Sequence, residues 1–173
     1  IYINYLSNAL PINGRNPGEI SDSFPNLFVP AGITFSIWGV IYLFLLSFII
    51  YQAKDLFKSP PDSTPWFSKI GPFFLLTCAA NIGWIFAWHY NYVEVSLGVM
   101  VIFLILLITI YQRLGIGRGT VSSGVKWFVH IPFSIYLGWI TVATIANVTT
   151  LLVSIGWDGF GISEVFWAVA MIA

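Results

Sequence analysis

The sequence predicts an all-α, polytopic transmembrane helical bundle, and three observations carry that prediction. Of 173 residues, 58% are hydrophobic and only 8% charged, against about 25% charged in a soluble domain. Several apolar runs reach the length of about 20 residues that a helix needs to cross the hydrocarbon core. The basic residues between those runs fall on alternate connections, as the positive-inside rule requires of a multi-pass chain. Residues 1–173 then read as a single transmembrane helical domain. The formal net charge of +0 gives no footing for nucleic acid, and the partner predicted first is the lipid bilayer. The one cysteine, Cys78, lies inside an apolar run, which rules out a disulfide framework or a cysteine-built metal site within this chain.

The elements follow in order. IYINYLSNAL at the start reads as the tail of an earlier helix. Residues 8–32 hold four prolines and three glycines and read as an irregular outer loop. Long loops of this kind are often lids or binding loops; a plain exposed connector is the alternative. The first span covers 33–51, the second 70–88 and the third 93–111. The HYNY connection is short enough to make the second and third an antiparallel hairpin. The fourth, 127–153, is longer than a crossing requires, and tilt or a kink at Pro132 absorbs the excess. A last run, 163–173, is too short to cross. The chain starts at Ile1 and stops at Ala173 inside an apolar run, and reads as a fragment cut at both ends.

Charge sets the orientation. Lys54, Lys58 and Lys69 lie between the first two spans; Arg113, Arg118 and Lys126 lie between the third and fourth. Only Arg15 lies elsewhere. The rule then places loops 52–69 and 112–126 on the cytoplasmic side, with the plasma membrane as the expected location. Trp88, Tyr90 and Tyr92 at the outer turn, with Tyr51 and Tyr111 at the inner ends, suit the interfacial aromatic belts.

Three spans also carry aligned polar or aromatic faces. With Trp139 taken as zero and about 100° per residue, Ala143 falls near 40°, Tyr136 near 60° and Asn147 near 80°. In the second span Thr77, Asn81, Trp84 and Trp88 share an arc of about 60°. Phe35, Trp38, Tyr42 and Ile49 share one of similar width in the first. An amide facing lipid is left unsatisfied, so such side chains turn toward other helices or a cavity. Two readings follow. The faces converge on a pocket, or Asn81 and Asn147 hydrogen-bond across helices as packing glue while the indoles fill the core.

These same residues carry a family resemblance. Pro25-x4-Pro30-x7-Trp38-x3-Tyr42 resembles the proline-rich loop and second helix of the TspO/MBR family, the translocator protein or tryptophan-rich sensory protein. Asn81-x2-Trp84 resembles that family's third helix. Trp139-Ile-Thr-Val-Ala143-Thr-Ile-Ala-Asn147 resembles its fifth. The likeness covers about Asn4 to Val153. It departs at Val29-Pro30, where the family has two prolines, and at Ser134-Ile135-Tyr136, where it has Pro-Tyr before the tryptophan. The chain also continues past Asp158, where the family stops. The resemblance implies a TspO-like five-helix bundle plus part of an extra helix. It also implies a pocket for a planar or rigid hydrophobic ligand, porphyrin- or sterol-like, with the protein acting as sensor, receptor or carrier. On this sequence the ligand-binding residues would be Trp38, Tyr42, Asn81, Trp84, Tyr136, Trp139, Ala143 and Asn147, with Pro25 and Pro30 in a lid loop. The family often forms homodimers, and a porphyrin or haem would be a ligand, with no resident cofactor expected.

Chemistry of other kinds has little to stand on. The sequence shows no carboxylate pair, nucleophile triad, phosphate loop or metal cluster, so no catalytic residue is assigned. His89 and His130 read as interfacial, and His130 falls opposite Trp139. Glu94 and Glu164 sit at helix starts, where capping and the helix dipole account for them. Ion-coupled transport needs an ionisable group deep in a span, so a small-solute transporter ranks second to binding. An intramembrane enzyme acting on bound porphyrin ranks third.

Overall fold

The computed structural model describes residues 2–10, 12–53 and 65–172. Lys54 and Lys58, two of the cytoplasmic charges expected above, lie outside them. Among the described residues the fold is all-helical. Helix α1 is Tyr2–Ala9, α2 is Pro17–Asp22, α3 is Ile37–Ala53, α4 is Pro65–His89 and α5 is Val93–Leu114. The next rod combines a short turn, α6 (Ser123–Val125), a π turn (Lys126–His130) and α7 (Ile131–Ser154). Helix α8 is Glu164–Ile172.

Four rods are long and apolar enough to cross a bilayer: Gly32–Ala53, Lys69–His89, Val93–Leu114 and Ser123–Ser154. They match the four complete spans read from hydropathy. Their outward side chains include Leu43, Ile50, Leu75, Ile102 and Ile105, a surface that lipid covers without penalty. This is an integral membrane protein. At about 1.5 Å per residue the 32-residue fourth rod outruns a ~30 Å core. Its irregularity sits next to Pro132. Proline has no N–H for the carbonyl four residues back, and its ring crowds that carbonyl. The chain widens into the π turn just ahead, where Ile131 N–H donates to the Lys126 carbonyl.

Helix ends are set by local backbone chemistry. Helix α4 closes with Asn91 N–H on the Trp88 carbonyl (3.1 Å) and Tyr92 N–H on the Ala87 carbonyl (2.9 Å). Asn91 itself is left-handed, at φ 56°. This is a Schellman closure with asparagine in the position usually given to glycine. It turns the chain straight into α5 and makes the predicted α4–α5 hairpin. Helix α5 ends the same way at Gly115, φ 64°. Left-handed backbone costs an L-residue about 1–2 kcal/mol. Gly115→Ala is therefore expected to lower stability by about 1 kcal/mol, read as a drop in thermal midpoint in detergent. The bundle core is aromatic toward the C-terminal end of α3. Phe48, Phe74 and Phe133 meet edge to face, with Phe48 and Phe133 centroids 5.0 Å apart.

The described residues 12–32 are more ordered than an irregular loop. Helix α2 starts on a capping box, in which the Asn16 side chain accepts from Glu19 N–H and the Glu19 carboxylate accepts from Asn16 N–H. Asn–x–x–Glu followed by Ile20 is a start signal legible in the sequence. The segment is fastened to α4 at two points. Trp88 Nε1 donates to the Pro17 carbonyl at 3.2 Å, and Asn13 Nδ2 donates to the His89 carbonyl at 3.0 Å.

Candidate functional site: an indole cluster under the proline-rich segment

Side chains four residues apart on a helix lie one above the other. That spacing places Trp38 and Tyr42 on one face of α3, Trp84 and Trp88 on one face of α4, and Trp139, Ala143 and Asn147 on one face of α7. The three faces meet. Trp38 is the hub: its ring stacks on Tyr42 (5.7 Å) and contacts Trp84 (6.3 Å), Tyr136 (6.2 Å) and Trp139 (6.3 Å). Trp84 stacks on Trp88 at 5.7 Å, and Phe35 meets Trp139 edge on at 6.2 Å.

The polar groups are built around this cluster. Asn81 Oδ1 accepts from Asn4 Nδ2 of α1 and from the Tyr42 hydroxyl at 3.4 Å. Asn147 Oδ1 accepts from Ser96 Oγ of α5 at 3.0 Å. Both asparagines thus bond across helices, as the packing reading expected. Three buried donors nonetheless have no acceptor among the described residues: Asn81 Nδ2, Trp84 Nε1 and Trp139 Nε1. Buried polar groups are rarely left so, and two of these three belong to one aromatic wall.

Between the rings lies a small cavity. Its wall includes Trp38, Trp84, Trp139, Ala143 and Asn147, with Pro30 at the proline-rich segment. Tyr42, Asn81 and Tyr136 stand behind that wall, and Pro25 does not reach it. Four lining residues escaped the sequence assignment of the site: Ser21, Phe35, Trp88 and Ala146. Helical phase puts Phe35 and Trp88 on the right faces, whereas Ser21 carries no signal of its own.

Three expectations change. Trp88 is not a belt residue, since it is 5% exposed and holds α2. His89 is not interfacial but wholly buried, with Nδ1 on the Ile85 carbonyl at 2.7 Å. The cavity is about 20 Å³, room for about one water, because the indoles themselves fill the convergence. A flat ligand enters only by swinging rings aside. Neither histidine lines the cavity, and no group of three metal-ligating side chains occurs among the described residues. A tetrapyrrole would meet ring faces and N–H donors there, with no imidazole for an iron.

The fold and site define a polytopic membrane protein whose helices close on an aromatic, donor-bearing interior. The chain belongs to the TSPO-like protein family, whose model matches residues 1–173. No curated protein and no solved structure matches it.

Proposed function

We propose that the protein binds a hydrophobic planar or rigid ligand, of the porphyrin or sterol-like kind, among Trp38, Trp84, Trp139, Ala143 and Asn147. It acts as a sensor, receptor or carrier of that ligand. Tyr42, Asn81 and Tyr136 position the wall, and the segment holding Pro25 and Pro30 forms the lid. One observation carries the reading: indoles from three helices surround a common point, and their buried N–H donors lack acceptors among the described residues. Aromatic faces favour a flat apolar ring system. The unmatched donors favour one whose edge carries carbonyl or carboxylate oxygens, because each buried unpaired donor costs about 1–3 kcal/mol until it finds a partner. Porphyrin side-chain carboxylates offer such oxygens. The proposal extends to a homodimer in the plasma membrane with the 52–69 and 112–126 loops cytoplasmic.

The test is a protoporphyrin titration of the purified protein, followed by tryptophan fluorescence. Saturable quenching is expected. Trp139→Ala weakens binding by at least ~10-fold through loss of ring contact. Ala143→Leu blocks it by filling the little space present. Equal quenching in the parent and both variants would leave the site without a ligand.

A further inference from the structure

A second cavity, of about 250 Å³, opens where α7 ends and α8 folds back beside the proline-rich segment. Its volume approaches the range of about 300–1,000 Å³ typical of small-molecule sites. The chain reaches it through a Schellman closure: Gly156 N–H bonds the Val153 carbonyl at 3.0 Å and Trp157 N–H the Leu152 carbonyl at 2.9 Å. Trp157 and Trp167 form two walls, their centroids 5.3 Å apart and their planes 54° from each other. Both rings are fixed before any ligand arrives. Trp167 Nε1 donates to the Gly159 carbonyl at 3.0 Å, and Trp157 packs edge on against Phe160 at 5.2 Å. Phe28 of the proline-rich segment adds a third aromatic wall.

Charge selects the guest. Asp158 and Glu164 both line this cavity, and among the described residues no Lys, Arg or His does. Asp158 Oδ1 holds Phe160 N–H at 3.0 Å, which orients the carboxylate at the rim. The remaining wall is apolar, with Leu152 and Met171. Two carboxylates beside preset indole faces attract a cation strongly only if its coat is apolar enough to leave water and lie against the rings. A metal ion finds too few ligands there, since no group of three His, Cys, Asp or Glu occurs among the described residues, and a neutral molecule leaves the two carboxylates unused.

We infer that the Trp157–Trp167 cavity binds an organic ammonium ion bearing small alkyl groups. The site stands apart from the indole cluster on α3, α4 and α7, and does not depend on a ligand being bound there. The ammonium group comes either from a free solute or from a lipid headgroup at the outer surface.

Choline and its uncharged isostere 3,3-dimethylbutan-1-ol separate charge from shape. Calorimetric titration of the purified protein in dodecyl maltoside is expected to show saturable choline binding and none for the alcohol. The doubly neutral variant Asp158→Asn/Glu164→Gln keeps both shapes and the Phe160 N–H acceptor, and lowers affinity by about 10-fold. Trp167→Leu lowers it similarly, while Trp139→Ala leaves it unchanged. Displacement by dihexanoylphosphatidylcholine but not by the phosphatidylglycerol analogue assigns the cation to a lipid headgroup; displacement by neither assigns it to a free solute. Equal binding of alcohol and choline, no choline binding at all, or unchanged affinity in a normally folded doubly neutral variant would overturn the assignment.

Discussion

Trp38→Ala is expected to be the most damaging single substitution in the half of the bundle beside the proline-rich segment. The ring is 5% exposed and touches four other aromatic residues from α3, α4 and α7. Truncating a buried Trp or Phe costs about 3–5 kcal/mol when the surroundings relax only partly. Relaxation is limited here, because Trp84 is already stacked on Trp88 and Trp139 is held by Phe35. The thermal midpoint in detergent is expected to fall on the order of 10 °C. Trp38→Phe, which keeps a ring in the hub, recovers more than half of that loss. A midpoint within a degree or two of the parent for Trp38→Ala would show that the cluster contributes little to holding the helices together.

Replacing Asn81 by leucine is expected to rank second. One carbonyl oxygen serves both the Asn4 amide and the Tyr42 hydroxyl. Its removal strands two donors, of which Asn4 is 6% exposed. An unsatisfied buried donor costs about 1–3 kcal/mol, and relief of the unmatched Asn81 Nδ2 returns part of that. The expected net loss is about 2–4 kcal/mol. It is directional, because Asn4 lies on α1 and so this contact is one of the ties between α1 and α4. Hydrogen exchange should rise in Tyr2–Ala9 before it rises in α5. In a double-mutant cycle, Asn4→Leu with Asn81→Leu should recover about 1 kcal/mol of the sum of the single losses. Additive losses would mean that the pair is not coupled.

How far the sequence carries depends on which physics fixes each feature. Span limits depend on hydropathy summed over many residues, so all four lie within a few residues of their reading. The ends at Asn91 and Gly115 follow from left-handed tolerance, also a local property. The faces of Trp38, Trp84, Trp139, Ala143 and Asn147 follow from helical phase, and they converge as expected. Partners are another matter. Nothing near Ser96 distinguishes it from any small polar residue in a span, and only the packing of α5 on α7 makes it the donor to Asn147. Asn4, at the start of the chain, looked like part of a helix tail; its role as the partner of Asn81 is purely tertiary. The size of the space among the indoles depends on side-chain rotamers, which no periodicity encodes. Trp88 departs from its sequence reading for a related reason: a tryptophan at a span end suits an interface equally well, and only Pro17 across the gap decides against it. The cavity at Trp157 and Trp167 was likewise invisible, since α8 carries no sign of where it folds back.

The Trp84–Trp88 stack has an optical corollary. Two indoles 5.7 Å apart and inclined by 20° lie close enough for their excited states to mix. Light absorbed by one is shared with the other, and with Trp38 beside them. The near-ultraviolet circular dichroism of the protein should therefore carry a coupled signal that no isolated chromophore produces. Parting the pair alters that signal directly, giving a spectroscopic record of ring movement even for a colourless guest.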